Sequence, residues 1–326
     1  MVDKVRLSIG TAVQLGLEDG SRDPDFTTAF IMTYREGKCE ANCAFCPQAQ
    51  GSTASSDRLS RISWPEFDLK TLLDIWPPPG QFRRICIQTI CYPEVVEEVV
   101  EIVRKLRSIT KLPISVAIHP ISKSELIQLH ESGVSNVGIA IDASTADLFD
   151  EIKGQKRKSS YEWDTHNQAL LDALDIFGKG HVTTHLIVGL GESEFEAASF
   201  IINMYEKDVS VGLFAFTNIK GTDLENRQQP ELASYRRIQV VRQLASKKQL
   251  HLDQIEVNPS GQISLKVDSE VLREALSSGD AFRVTGCKGC NRPFYNERPR
   301  GPMYNYPRRL NEEEIQRAVE ESGLVN

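Results

Sequence analysis

The sequence predicts an α/β fold: a parallel βα barrel of the TIM type, full or partial, with a C-terminal extension folding over its catalytic mouth. Three observations predict it. Short apolar runs alternate with helical patterns in six successive units, which implies parallel strands with helices outside and favours a barrel over an open sheet. The 326 residues are 40% hydrophobic, enough for a large core. After residue 290 the alternation stops, and a stretch rich in proline, asparagine and arginine takes over.

The units follow in order. Residues 28–34 (TAFIMTY) read as a buried strand. Ser63-Trp-Pro-Glu66 has the form of a capping box and predicts a helix to about residue 75. Strands are expected at 83–88, 114–118, 137–141, 182–188 and 211–216. The helices between them are expected at 95–106, 123–131, 161–177, 194–205 and 232–246. Residues 254–257 and 282–284 are candidates for the strands that would complete the barrel. The barrel is assigned to 1–285 and the extension to 286–326, with residues 291–310 as ordered coil and 311–322 as a closing polar helix.

Composition narrows the function. A net charge of −7 gives no support for phosphate-backbone binding, so nucleic acid is not an expected partner. The first ten residues are charged and lack a continuous apolar run, unlike a secretory signal. No stretch approaches the ~20 apolar residues of a membrane span. A cytoplasmic location is expected, with no membrane contact.

There are seven cysteines, an odd number, which argues against a disulfide framework in a reducing compartment. They are closely grouped: Cys39, Cys43 and Cys46; then Cys86 and Cys91; then Cys287 and Cys290. Such grouping suggests metal ligation. The first three directly follow the first strand, at the end that forms the catalytic face of a βα barrel. Three thiolates in so short a loop can hold three irons of a cubane and leave the fourth open to a small molecule; the bland reading is a zinc loop completed by a distant cysteine. Structural zinc prefers four closed ligands, and no histidine is near in the sequence.

C-x3-C-x2-C after the first barrel strand resembles the radical S-adenosylmethionine (SAM) family. The resemblance implies that Cys39, Cys43 and Cys46 hold a 4Fe–4S cluster. The cofactor's methionine group would bind its open iron, and one electron would cleave the cofactor to a 5′-deoxyadenosyl radical. It further implies that Phe45 contacts adenine. Leu186-Ile187-Val188-Gly189-Leu190-Gly191-Glu192 is similar to the family's fifth-strand segment, which places Ile187, Val188 and Gly189 near adenine. Asp142, ending the fourth strand, resembles a ribose-binding acid; as a residue alone it reads equally well as a helix cap.

The whole chain resembles biotin synthase and its relatives in the CAFCPQ loop, in the segment 216–222 and in Cys86. It departs from biotin synthase where that enzyme takes its other second-cluster ligands. Residues 113–118 have no cysteine, Thr183 stands where the fifth-strand cysteine is expected, and 254–265 hold no arginine. The arrangement is instead similar to the subunits of two-protein lipoyl synthases. As residues alone, Cys86, Cys91, Cys287 and Cys290 could close either an Fe–S or a zinc site; the resemblance implies a second 4Fe–4S cluster there, and sulfur insertion into an octanoyl or mercapto-octanoyl lysyl group. The implied partners are the octanoylated or lipoyl-carrier domain, a paralogous radical SAM protein and a low-potential donor such as ferredoxin. Arg292 and Arg298, with Arg300 beside them, are candidates for substrate or carrier contact; the bland reading is a solvated tail. Two rival functions are a maturase or mutase of the same branch and a catalytically silent Fe–S partner.

One geometric expectation follows. The Cys287–Cys290 pair should fold back over the barrel mouth as part of a lid, with its sulfurs within a few ångströms of Cys86 or Cys91. A pair projecting from the opposite, N-terminal face of the barrel would contradict a sulfur-donor role and read as structural.

Overall fold

The computed structural model describes residues 1–293, 295–297 and 301–325. The chain begins with β1 (Lys4–Leu7), α1 (Ile9–Leu15) and β2 (Thr28–Thr33). A small hairpin of β3 (Arg58–Leu59) and β4 (Ile62–Ser63) leads to β5 (Glu66–Asp68) and α2 (Leu69–Asp74). Next come β6 (Arg84–Gln88), α3 (Val95–Arg107), β7 (Ile114–Ala117), α4 (Lys123–Ser132) and β8 (Asn136–Gly138). Helices α5 (Ala146–Ile152) and α6 (Trp163–Phe177) precede β9 (Val182–Val188), α7 (Glu194–Glu206), β10 (Ser210–Ala215) and α8 (Leu232–Ser246). The hairpin β11 (Ile255–Val257) and β12 (Ile263–Leu265), then α9 (Ser269–Ser277) and α10 (Glu312–Ser322), complete the described elements.

Eight strands form one sheet, in the order β10-β9-β8-β7-β6-β2-β1-β5. The run from β2 to β10 is parallel throughout, each strand beside its predecessor. This is the expected parallel βα barrel in its partial form, because β10 and β5 remain edges. All of β2 is buried, as its apolar run requires of a strand covered on both faces. The outer helices show why they pack: α3 buries Val95, Val96, Val99, Val100, Val103 and Leu106, a stripe at helical spacing. Capping boxes at Ser122/Glu125 and Ser193/Glu196 start α4 and α7.

The register decides what faces the barrel interior. Phe30, Cys86, Ser115 and Asn136 are successive partners across β2, β6, β7 and β8. Side chains opposite one another in a ladder share a face. One interior layer is therefore set by backbone pairing alone.

Three expectations are corrected. The helix predicted from Ser63 begins at Leu69 instead, with Asp68 at its N-cap. Ser63 ends β4, and Glu66–Asp68 pairs antiparallel with β1; this pairing and the fully buried Trp64 outweigh the local capping signal. Residues 255–257 pair only with β12 and do not extend the barrel. At 282–284, Phe282 ends a short 3-10 turn and Arg283 makes an isolated bridge to Tyr306.

The remaining open side is crossed by the C-terminal segment. Leu213 N–H donates to Thr285 Oγ1 (2.9 Å), and Asn291 N–H donates to Thr28 Oγ1 (3.2 Å). Thr217 Oγ1 then donates to Asn296 O (2.9 Å), and Ser60 Oγ to Tyr295 O (2.9 Å). The extension thus runs from the N-terminal ends of the strands up to the mouth.

Candidate active site

All seven cysteines are free thiols lining one cavity of about 1630 Å³, its open mouth included. Cys39, Cys43 and Cys46 stand at the C-terminal end of β2, on a tightly tied loop. Cys39 N–H donates to Gln48 O (2.9 Å), Gln50 N–H to Ala41 O (2.9 Å) and Ala44 N–H to Ile152 O (2.7 Å). The Gln48 side chain binds Ser56 O (2.7 Å) and Arg58 O (2.6 Å) from inside. These bonds tie the loop across its own width and to residues 56, 58 and 152.

As thiols these side chains are held away from ionisation. Burial pushes Cys43 well above the usual thiol range and Cys46 up to about 12. Ionised sulfur here needs a compensating cation, which bound iron supplies. Among the described residues no three His, Cys, Asp or Glu side chains are grouped as around a single ion. The donor set itself, three thiols on one rigid loop and a cavity beside them, fits a cluster with one open iron.

Lys153 brings a protein cation to the same place. Its Nζ lies 2.8 Å from Asp142 Oδ2, and both side chains are nearly fully buried. Burial pulls the Lys153 ammonium down, but Asp142 and Cys43 outweigh it and the net shift is upward. Asp142 adopts a left-handed φ of 68° at the end of the β8 connection and makes an isolated bridge to Leu186. It does not cap the next helix: Thr145 does, accepting from Leu148 N–H (3.2 Å). The carboxylate lines the cavity instead.

Phe45 and Ile187 also line the cavity, whereas Val188 and Gly189 are not among its lining residues. Gly189 has φ 107°, and its N–H is taken by Glu192 Oε1 (2.6 Å). Leu190 and Gly191 N–H donate to the other carboxylate oxygen (3.0 and 3.1 Å). The segment is a turn closed by its own glutamate.

The second set divides. Cys86, Cys287 and Cys290 come together: burial pushes the Cys86 thiol far up, and Cys290 and Cys287 add to it. Gln88 Nε2 donates to Cys86 Sγ (3.0 Å). Gly289, at φ 77°, allows the turn in which Cys290 N–H donates to Cys287 O (2.9 Å). Cys91 is placed with the first set instead. The chain leaves the interior after Gln88, so Cys91 N–H donates to Cys39 Sγ (3.1 Å) and Cys91 O accepts from Glu40 N–H (2.9 Å). Its thiol is pushed up to about 11, chiefly by burial.

The lid expectation is corrected as well. The Cys287–Cys290 pair enters beside the N-terminal ends of the strands, where Arg84 binds Lys288 O and Asn291 binds Thr28. It is seated there because 285–291 is anchored on β10 and β2 before the chain climbs to the mouth. The pair enters at these ends without projecting from that face: Cys287 and Cys290 line the shared cavity, so a donor role is kept. Arg292, read as a possible tail residue, is 9% exposed, lies 3.9 Å over the Phe214 ring and donates to Thr285 O (2.6 Å). Arg298 and Arg300 lie outside the described residues.

The same cavity is lined by side chains the sequence did not flag. His185 packs against Phe214 at 4.9 Å, and burial lowers its imidazole to about 4. His119 stacks on Tyr161 at 6.3 Å, and its buried Nδ1 has no hydrogen-bond partner. These residues come from separate elements and share no local spacing, so only the fold assembles them.

No protein-family model matches the chain. It is 26% identical over 207 residues to the biotin synthase of Campylobacter hominis, 62% of this chain and 60% of that protein. It therefore matches less than two thirds of that relative's length. The partial barrel is shared with methylornithine synthase, at a TM-score of 0.52, 16% identity and coverage of 66% and 63% of the two chains. It is also shared with the FeFe-hydrogenase maturase HydG from Carboxydothermus hydrogenoformans, at a TM-score of 0.50, 16% identity and coverage of 69% and 52%. Among the described residues no helix is long and apolar enough to cross a membrane.

Proposed function

We propose that this biotin synthase-like chain is a radical SAM sulfurtransferase acting on a protein-bound octanoyl or mercapto-octanoyl lysyl group. The observation that carries the reading is that both thiol sets open on one cavity walled by Phe214, Phe216, Ile187 and Ile118. Cys39, Cys43 and Cys46 would hold a 4Fe–4S cluster that, with SAM and an electron from the donor, would supply a hydrogen-abstracting radical; the other set would hold a second cluster as the source of sulfur. The chain's own residues do the rest. The apolar wall receives an aliphatic chain and excludes water. Phe45 and Asp142 border the place of the adenosyl group, and Lys153 holds the Asp142 carboxylate in position. The partners this reading requires are an acylated carrier domain, a paralogous radical SAM protein and a low-potential donor such as ferredoxin.

The test is anaerobic reconstitution with an octanoyl-lysyl peptide and, separately, a mercapto-octanoyl-lysyl peptide, each with a chemical reductant and SAM, followed by mass spectrometry. A product heavier by sulfur from either peptide supports the reading, and two peptides that never gain sulfur contradict it. A second reading is a maturase or mutase whose second cluster is not consumed. It is favoured by the seat of Cys287 and Cys290 at the enclosed N-terminal ends of the strands, away from any lid. Sulfide lost per turnover separates the two: loss fits sulfur donation, and constant sulfide fits the second reading.

A further inference from the structure

We infer that the second cluster is held by Cys86, Cys287, Cys290 and the Ser115 hydroxyl, with Cys91 outside it. The inference rests on the two-cluster reading above and specifies its ligands. Cys86 and Ser115 are direct register partners on β6 and β7, so backbone pairing puts both side chains on the same interior layer. Adjacent strands lie ~5 Å apart. Ser115 is 3% exposed, and its Oγ lies 3.4 Å from Cys287 Sγ. All four side chains line the cavity.

The surroundings suit an oxygen ligand. The Arg84 guanidinium orients the hydroxyl, hydrogen bonding to Ser115 Oγ, to Asn136 Oδ1 (3.1 Å) and to Lys288 O within the Cys287–Cys290 turn. One buried cation thus binds the hydroxyl and the loop that carries two of the thiols. Cys91 has no comparable tie to this group. Its contacts are Cys39, Glu40 and Tyr161, all on the side of the first set.

The experiment uses the full chain with Cys39, Cys43 and Cys46 replaced by alanine, reconstituted anaerobically with iron and sulfide. Iron content and the electron paramagnetic resonance (EPR) spectrum of the reduced cluster are read. About four irons per chain are expected in this background, one 4Fe–4S cluster. Adding Ser115→Ala should free one iron, giving a three-iron signal on mild oxidation. Adding Ser115→Cys should keep four irons with a shifted EPR spectrum, which also shows that position 115 tolerates change. Adding Cys91→Ala should alter nothing. No iron in the background variant would overturn the two-cluster reading and this inference together. Retained iron with an unchanged spectrum in Ser115→Ala, or iron lost on Cys91→Ala, would overturn the ligand assignment alone and leave the reading standing.

Discussion

Lys153 and Asp142 show how the site spends its buried charge. Each side chain is nearly inaccessible, and each neutralises the other. Lys153→Met leaves the carboxylate buried and unpaired, and should cost roughly 3–5 kcal/mol in urea unfolding of the iron-free chain. Removing both charges, as Lys153→Met with Asp142→Leu, should recover much of the loss; equal losses in the single and double variants would show the pair to be uncoupled. The histidines give a pH signature. Burial holds His166 at about 2 and His185 at about 4, so both are neutral in the folded chain well below the ordinary histidine value of ~6.5. The unfolded chain binds more protons between about pH 6.5 and pH 4, so stability falls as pH falls through that window. Each histidine adds up to about 1.4 kcal/mol per pH unit. His166 packs between the rings of Phe149 and Tyr161, so His166→Phe keeps the shape and should remove about half the slope. A slope unchanged in that variant would refute the assignment. The cysteines were legible in the sequence because their spacing is local. Lys153, His119, His185 and Arg84 were not, because each comes from a different element.

The six parallel strands were legible for the same reason: each is a short apolar run bounded by a helical pattern. β1 was missed because Lys4-Val-Arg-Leu7 is short and half charged, and gains its place only by pairing with β2 and β5. The capping box at Ser63 misled because tertiary pairing outweighs a signal of about 1 kcal/mol. The turn after β9 illustrates the opposite case, where a local motif explains itself. Three backbone N–H groups converge on Glu192, whose carboxyl burial pushes upward and those N–H groups pull back. Glu192→Ala should cost about 2–3 kcal/mol by leaving those donors without an acceptor. Thermal unfolding reads it directly, and an unaltered midpoint would mean that solvent or another side chain replaces the carboxylate.

For the whole molecule, the open side of a partial barrel is the organising fact. Six parallel strands curve around a cavity but do not close it, and residues 285–293 and 295–297 run across the gap. Tyr295 packs on Phe30 at 5.3 Å and on Trp64 at 6.2 Å, tying the extension to β2 and to the hairpin beyond the first loop. The same strap that closes the wall carries Cys287 and Cys290 to Cys86. In the sequence, the break in the βα alternation marks where the extension with its own thiols is expected. It did not show the direction of approach, because that depends on which strand edge is left unpaired. The account's central claim is that Cys39, Cys43 and Cys46 form the cofactor-cleaving centre, with the other set a distinct site on the same cavity. Its most direct test is to quantify 5′-deoxyadenosine formed from SAM by the reduced, reconstituted chain. The wild type should form it, Cys43→Ala should form none, and Cys290→Ala should retain a measurable share. A fully reconstituted wild type that leaves SAM intact, or a Cys43→Ala variant that still cleaves it, would contradict the claim.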